Sequence, residues 1–406
     1  MKFIKNGSIT TPLGFKASGI HCGLKQSNKK DLALIFSETS CTAAGVYIKN
    51  TIKGAPIYVT RDHLENGTAR AIVINSGNAN TCNGNKGLDA AKAMAYFLSF
   101  NLHIEPKDIL VASTGVIGVP LPLKKIINSY PTLVSSLSYK NSEDAALAIM
   151  TTDTRKKEAC ISFTLSSGET CHIGSISKGS GMIEPNMGTM LSFITTDLNI
   201  SHELLNLALK DSVSKTFNRV SVDGDTSTND MVLILANGLC KNSKIIEENH
   251  DYKLFLNALN KLNLLQAKNI ASDGEGTTKL IECTVFSVAS EHDAITFSKS
   301  IINSPLVKTA IFGSDPNFGR ILCALGYTEI PFNLNNLSLS FKSSIGEVLV
   351  FDNGIGLPFN EEKAKTILSQ DTIEIIVDMH NGDYSATCFG CDLSYDYVKI
   401  NGDYRS

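Results

Sequence analysis

The sequence predicts a mixed α/β fold, in which layered sheets are flanked by helices and the chain is divided into two lobes. Length supports the lobes, because 406 residues are too many for one small core. The spacing of apolar residues supports a mixture of strands and helices. Short apolar runs typical of strands alternate irregularly with segments whose apolar residues recur about every 3.6 positions, as in helices. The sequence shows neither an internal repeat nor a low-complexity linker.

Individual elements follow from these patterns in chain order. Segments rich in β-branched and other apolar residues predict strands at 32–36, 70–74, 109–112, 161–165, 231–235, 308–312, 337–341 and 373–377. Helical spacing predicts helices at 88–100, 143–150, 202–217, 252–266, 291–302 and 361–368. Ser201 is the expected N-cap of the third of these helices, and the charge of Glu203 suits the dipole of its first turn.

Composition excludes some classes of function. The net charge is −3, with 19% charged residues, so the chain lacks the basic surface that nucleic-acid binding requires. Small metabolites are the expected partners. The N-terminal segment has lysines but no apolar core behind them, so no signal peptide is expected, and no apolar segment approaches the length of a membrane span. We therefore expect a soluble, cytoplasmic protein.

The ten cysteines and the acidic residues could suggest metal sites. Without a signal peptide, free and mostly buried thiols are expected. The spacing of Cys388 and Cys391 is half that of a zinc site, but no second pair accompanies it, so packing is favoured. Asp223, Asp225 and Asp230 could bind magnesium, although a turn bonded through Asp and Thr side chains to backbone amides is preferred. The glycine-rich segments do not match nucleotide-binding loops. No metal and no cofactor are expected.

The segment 178–191, KGSGMIEPNMGTML, places a hydroxyl nucleophile directly after a glycine. Attack by Thr189 on the carbonyl of Gly188 would cut the chain and free an α-amine at Thr189. Such an amine titrates near neutral pH and can act as the base for its own hydroxyl. The alternative is an ordinary loop rich in Gly and Pro, followed by a strand at 189–195.

Further sequence blocks occur in a recognisable order. They are NSGNAN at 75–80, STGVIG at 113–118, DGDTSTND at 223–230, DGEG at 273–276, GSDPNFGR at 313–320 and CDLSYDYVKIN at 391–401. Together with the segment 178–191, they resemble blocks of the ornithine acetyltransferase family, the glutamate N-acetyltransferases of arginine biosynthesis. The resemblance spans nearly the whole chain.

This resemblance implies layers of the αββα type and cleavage between Gly188 and Thr189. The products, residues 1–188 and 189–406, would fold together as one α/β unit and associate as an α₂β₂ heterotetramer. It also implies transfer of the acetyl group of N²-acetylornithine to glutamate by a ping-pong mechanism, through an acetyl group carried on Thr189. Use of acetyl-CoA as a second donor stays open.

The resemblance also assigns the site residues. Thr114, by its hydroxyl, and Gly115, by its backbone N–H, would form the oxyanion hole. Lys178 would bind the substrate carboxylate, and Glu275 would accept a hydrogen bond from an amine of the substrate. Substrate-binding residues beside Thr189 would further include Thr152, Asn401 and Ser406. Members of the family usually carry alanine at position 188 and threonine at the C-terminus, so Gly188 and Ser406 are departures, and the role of Glu184 is unassigned.

Two other functions remain open at this point. The chain could be an N-terminal-nucleophile amidase or aminopeptidase, in which water resolves the acyl-enzyme. It could also be an uncut amino-acid-binding protein, an idea that the departures at Gly188 and Glu184 motivate.

Overall fold

The computed structural model describes residues 1–184 and 190–403. In this part of the chain the strands are β1 Lys2–Phe3, β2 Phe15–Ile20, β3 Leu32–Tyr47, β4 Thr68–Asn78, β5 Ile109–Val116, β6 Lys157–Thr164, β7 Thr170–Lys178, β8 Leu191–Thr196, β9 Met231–Ala236, β10 Leu280–Val288, β11 Ser338–Ser343, β12 Gly346–Asp352, β13 Ile355–Gly356, β14 Thr372–Asp378 and β15 Tyr384–Cys391.

The α-helices of the same residues are α1 Ala55–His63, α2 Gly84–Leu102, α3 Leu123–Ser135, α4 Ser142–Ile149, α5 His202–Lys215, α6 His250–Ala271, α7 Glu291–Asn303, α8 Pro305–Phe312, α9 Phe318–Gly326, α10 Glu361–Leu368 and α11 Tyr395–Gly402. Short 3₁₀ helices occur at Pro106–Asp108, Phe217–Arg219 and Leu334–Asn336.

The first sheet is folded into two layers by its longest strand. Its order is β1-β6-β7-β8-β9-β3-β4-β5, with β2 also paired to β3. The first part of β3 pairs with β2 and β4, and its last part pairs with β9. The register between β3 and β4 shifts between Phe36 and Cys41, and an irregularity of this kind lets a strand bend from one layer into the other.

The two layers pack face to face. Phe15, Ile35 and Ile74 of one layer belong to the same buried cluster as Phe193 and Leu233 of the other. The outer face of the first layer packs against α2 and α3, and that of the second packs against α5 and α6. The predicted αββα arrangement is therefore confirmed.

A second lobe has its own core. Its sheet, in the order β13-β12-β11-β14-β10-β15, packs against α7, α9 and α10 around Phe297, Phe341 and Ile375. The prediction of two lobes is confirmed. The helix α6 contacts strands of both sheets, so it joins the two lobes.

Most of the predicted elements occur near their predicted positions, but one strand was wrong. Residues 308–312 form the end of helix α8, not a strand. Ser304 caps this helix, because its side chain accepts a hydrogen bond from the backbone N–H of Val307, and Pro305 occupies the first turn. Both are helix-start signals, and they outweigh a short apolar run. The predicted cap at Ser201 is confirmed, since its side chain accepts from the N–H of Leu204 at 3.3 Å.

The cysteine prediction needs one correction. Cys171 on β7 and Cys240 after β9 form a disulfide, because two segments 69 residues apart in sequence meet at one end of the sheet. The other eight cysteines are free, and most of them are buried. Cys388 and Cys391 both lie on β15, but one side chain joins the core of the second lobe and the other joins the first. They therefore point to opposite faces, as favoured for a packing role.

Within the described residues, no helix is long and apolar enough to cross a membrane.

Candidate active site

A cavity of about 320 Å³ lies at the end of β5 and β7, beside the first turn after α6 and against α11. Met190 and Leu191, the first described residues after the predicted cleavage position, contribute to its lining. The predicted residues Gly188, Thr189 and Ser406 lie outside the described residues. The other six predicted site residues all line this one cavity, and they are Thr114, Gly115, Thr152, Lys178, Glu275 and Asn401.

Thr114 and Gly115 occur where β5 reaches the cavity. Gly115 has a backbone φ of +128°, and a Cβ atom there would lie 2.5 Å from the backbone nitrogen of Asn78 on β4. Only glycine permits this close approach of two strands. The buried side chain of Asn229 secures the region, because its amide donates to the carbonyl oxygens of Ser113, at 3.0 Å, and Ala79.

Lys178 is the last residue of β7, and it is buried. Its Nζ donates to the hydroxyl of Thr151 at 2.7 Å and lies 3.9 Å from a carboxylate oxygen of Asp153. Asp153 also accepts from Nζ of Lys157 at 2.7 Å, and Lys157 bonds Asp273 at 2.5 Å. We call Asp153, Lys157, Lys178 and Asp273 the carboxylate–lysine cluster.

The carboxylate of Asp153 binds backbone N–H groups as well as the lysine side chains. Asp153 accepts hydrogen bonds from the N–H of Thr151, at 3.0 Å, and of Gly179, at 2.7 Å. It therefore fixes the residue that follows Lys178. The two lysines lower the pKa of Asp153 well below its usual range, in spite of its burial. Burial lowers the pKa of Lys178, and the negative charge of Asp153 opposes that effect.

Glu275 also lines the cavity, after the end of α6. Its carboxylate accepts from the side-chain amide of Asn401 at 2.8 Å, and its own N–H donates to the carbonyl of Ser180 at 3.0 Å. Gly181 makes room for this carboxylate, since any Cβ at that position would collide with it. Glu275 is buried, whereas Asn401 is exposed. An acidic group thus faces the cavity beside an amide.

The segment before the predicted cut is held from outside the cavity. The carboxylate of Asp223 accepts from the N–H groups of Met182 and Ile183 at 2.6 and 2.7 Å. This is the backbone-binding role that the sequence favoured over magnesium. Glu184, whose role was unassigned, lies 3.6 Å from Nζ of Lys299. The cut itself would fall between two paired strands, because Lys178 of β7 is opposite Leu191 of β8.

The arrangement combines a buried cation, a carboxylate, and a hydroxyl beside a glycine backbone. A cation suits the α-carboxylate of an amino acid, and the carboxylate of Glu275 suits an ammonium group. Sequence reasoning missed Asp153 and Asn229. Asp153 directly follows Thr152, so a charged residue next to a predicted binding residue was a usable signal. Nothing in the sequence indicates which strands Asn229 would join.

Comparison with known proteins adds independent findings. Residues 16–406 match the model of the ArgJ family. A protein of Clostridium acetobutylicum described as arginine biosynthesis bifunctional protein ArgJ 1 is 49% identical over 406 residues, which cover 100% of this chain and 99% of that protein. The corresponding protein of Caldanaerobacter subterraneus subsp. tengcongensis is also 49% identical, over 403 residues, which cover 99% of this chain and 100% of the relative.

A solved structure is similar as well. The crystallised arginine biosynthesis bifunctional protein of Bacillus halodurans is 44% identical, with a TM-score of 0.51. The match covers 100% of that crystallised chain but 53% of this one.

Proposed function

This chain belongs to the ArgJ family, and from that premise we propose that it transfers the acetyl group of N²-acetylornithine to glutamate. The observation that supports the proposal most directly is that six residues assigned from sequence converge on one cavity. The cavity brings together a buried cation and a buried carboxylate, and the first described residues after the proposed cut also line it. N-Acetylglutamate and ornithine are the products, and both belong to arginine biosynthesis.

The first step is cleavage between Gly188 and Thr189. The hydroxyl oxygen of Thr189 attacks the carbonyl carbon of Gly188, the peptide nitrogen leaves as an amine, and water then hydrolyses the resulting ester. Two observations support a cut here. Hydrogen bonds hold the chain on the upstream side at Met182 and Ile183. The crystallised Bacillus halodurans chain also matches only about half of this chain over its full length, as the piece 189–406 would.

Acetyl transfer then proceeds in two half-reactions. The freed α-amine of Thr189 takes the proton of its own hydroxyl, whose oxygen attacks the acetyl carbonyl of acetylornithine. The amide C–N bond breaks, ornithine leaves with a proton, and the acetyl group remains on Thr189 as an ester. The amine of glutamate attacks this ester, forming the new amide and restoring the hydroxyl.

The other site residues serve both half-reactions. Thr114 and Gly115 donate to the oxyanion of each tetrahedral intermediate, and loss of one such donor typically costs ~2.7–4 kcal/mol. Lys178 binds the α-carboxylate that both substrates carry, and Thr152 and Asn401 lie beside it in the cavity lining. Glu275 accepts from the amine of the bound amino acid. The two cleavage products associate as an α₂β₂ heterotetramer.

An intact-mass spectrum of the purified, denatured protein tests the proposal, with and without brief incubation with N²-acetylornithine. We expect two chains that meet at Gly188 and Thr189, and an acetyl increment on the second. Thr189→Ala should give one intact chain without transfer activity. A cleaved and active alanine variant would refute the nucleophile, and a single unmodified wild-type chain would favour the binding-protein alternative. Acetate release without transfer to glutamate would favour a hydrolase.

A further inference from the structure

A buried asparagine connects the two proposed cleavage products beside the cavity. The side chain of Asn229 is 4% exposed, and its amide nitrogen donates to the carbonyl oxygens of Ala79 at 2.5 Å and Ser113 at 3.0 Å. Asn229 belongs to the downstream product, whereas both acceptors belong to the upstream one. The carbonyl of Ser113 is part of the peptide unit that leads into Thr114, a proposed oxyanion donor. The amide therefore holds the backbone from which the oxyanion hole is built.

Two hydroxyl groups fix the orientation of this carboxamide. Its oxygen accepts hydrogen bonds from the buried hydroxyls of Thr81 and Thr228, each at 2.6 Å. Backbone carbonyl oxygens can only accept, so the amide nitrogen must face Ala79 and Ser113 while the amide oxygen faces the hydroxyls. A carboxamide turned by 180° would place its oxygen against two carbonyls and leave buried polar groups unpaired, which is costly.

Gly54 makes room for the carboxamide. A Cβ atom at position 54 would lie 2.6 Å from both the oxygen and the nitrogen of the Asn229 amide, and 2.7 Å from the hydroxyl of Thr81. The backbone of Gly54 has a φ of −64° and a ψ of 147°, a conformation that other residues adopt readily. Its dihedral angles therefore do not call for glycine, whereas its contact with Asn229 does.

The segment that contains Asn229 also holds the strand that follows the proposed nucleophile. The N–H of Met231 donates to the carbonyl of Met190 at 3.2 Å, and Met190 directly follows Thr189 in the sequence. From there β8 and β9 pair in parallel, with Leu191 opposite Met231. This short segment thus bonds to the oxyanion-hole strand through a side chain and to the residue after the nucleophile through its backbone.

We propose that Asn229 is a positioning residue, which sets the distance between the attacking hydroxyl of Thr189 and the oxyanion hole at Thr114 and Gly115. The inference rests on the proposed function, because it takes Thr189 as the nucleophile. The carboxamide acts through the backbone and need not touch the substrate. Because the oxyanion exists only in the tetrahedral intermediate and the transition states beside it, a displaced hole slows the reaction without weakening substrate binding.

The test compares two buried asparagines at opposite ends of β9. Asn229 precedes this strand, and Asn242 follows it, where its amide donates to the carbonyls of Asn199 at 3.0 Å and Ser243 at 2.7 Å. Asn229→Asp and Asn242→Asp each replace two donors by acceptors that face carbonyls, at nearly the same volume. We expect both to lower the urea midpoint. Only Asn229→Asp should lower kcat for acetyl transfer, by about tenfold or more, with KM changed less than about twofold.

Gly54→Ala is a second variant, because it displaces the carboxamide without removing a hydrogen-bonding group or a charge. We expect it to lower kcat in the same direction, again without a matching change in KM. For every variant, kcat is expressed per cleaved molecule, counted by intact mass. If Asn229→Asp fails to fold or to mature, Gly54→Ala answers the question by the same two constants.

Several results would overturn the inference. An unchanged kcat in both Asn229→Asp and Gly54→Ala would do so, and so would an equal loss of kcat in Asn242→Asp. A raised KM with an unchanged kcat would instead indicate direct contact between Asn229 and the substrate. A wild-type protein that neither cleaves itself nor transfers acetyl would refute the proposed function, which is a separate result.

Discussion

The molecule has two cationic regions, and they differ in what their charges meet. In the carboxylate–lysine cluster, Lys157 is almost fully buried between two carboxylates. The other region is a groove between α1, α5 and the end of β3, which we call the cationic groove because Lys49, Lys53, Arg61 and Lys210 line it. Arg61 and Lys210 are exposed there, and the described lining contains no Asp or Glu. The lysines of the cluster are paired with carboxylates of the protein itself, whereas the cations of the groove have no carboxylate in the described lining.

This difference separates two uses of positive charge. A buried cation must be paired, because an isolated charge in the interior is too costly to keep. Its position is then fixed, which suits the alignment of a substrate. An exposed cation needs no partner in order to fold, so its charge remains available to a ligand and is screened by salt. Stability should therefore depend on the cluster, and ligand affinity on the groove.

The largest expected effect comes from breaking the cluster. Asp153→Asn keeps the shape of the side chain but removes the charge that faces both lysines. We expect a loss of about 3 kcal/mol in the free energy of unfolding, the lower end of the usual range, because Asp273 remains on Lys157. Urea denaturation measures this loss. A change below about 1 kcal/mol would show that the cluster is not a stability element.

The same change should alter the pH dependence of substrate binding. Burial already lowers the pKa of Lys178, and Asp153 opposes that effect. In Asp153→Asn the pKa should fall further, so the lysine loses its charge, and KM rises, at a lower pH than in the wild type. A shift of about one pH unit would change KM roughly tenfold where the two profiles differ most. Other charged groups acting on Lys178 are Lys157, Lys25, Asp230 and Glu275.

Asp273→Asn is the matched control for that profile. Asp273 shares Lys157 with Asp153, but the structure places no ion pair between Asp273 and Lys178 within the described chain. Both variants should destabilise the protein, and only Asp153→Asn should move the KM profile. If both move it equally, the effect on Lys178 is a general consequence of a disturbed interior.

Salt should affect the two regions unequally. Raising the ionic strength from 50 to 200 mM shortens the screening length to below 10 Å, which weakens interactions of exposed charges most. We expect the Kd of inorganic pyrophosphate, used as an anionic probe of the groove, to rise about fivefold or more, and KM for acetylornithine to change less than about twofold. Binding calorimetry and initial rates at the two salt concentrations compare them directly. If salt changed both constants by the same factor, the groove and the cluster would not differ in how well their charges are shielded from solvent.

The smallest effect is expected for the stability of a variant that removes two exposed charges from the groove, Arg61→Gln/Lys210→Gln. Exposed surface substitutions away from special features usually change stability by no more than about 0.5 kcal/mol. Arg61→Gln/Lys210→Gln should therefore unfold at nearly the wild-type urea concentration. A larger loss would mean that these side chains support the fold, and their effect on ligands would then need a second explanation.

Sequence reasoning reached much of the fold because the elements carry local signals. Periodicity located the central strands and the long helices, and Ser201 marked a helix start. The error at 308–312 arose where a short apolar run fits either a strand or a helix, and there the capping of Ser304 decides. The Cys171–Cys240 disulfide was missed because it depends on how distant strands meet.

The site residues were predicted from the family resemblance, and six of them line one cavity in the structure. Thr114, Lys178 and Glu275 lie on separate elements, and nothing local to each of them points to a shared cavity. Asp153 was missed although it follows Thr152, because its pairing with Lys178 and with the Lys157 that it shares with Asp273, after the end of α6, arises only in the folded chain. The cationic groove likewise combines residues near position 50 with residues near position 205. Such clusters depend on tertiary packing, which single-sequence patterns do not record.

The pairing of β7 with β8 bears on whether the chain folds before or after the proposed cleavage. The proposed cut would separate these neighbours, which are hydrogen-bonded along their length. If the two pieces were synthesised apart, each would present an open strand edge, and such edges invite aggregation. We therefore expect the cut to occur only after β7 and β8 have paired. The uncut chain would then keep the two strands together while the sheet forms. Co-expression of 1–188 with 189–406 should accordingly yield far less soluble enzyme than the continuous gene.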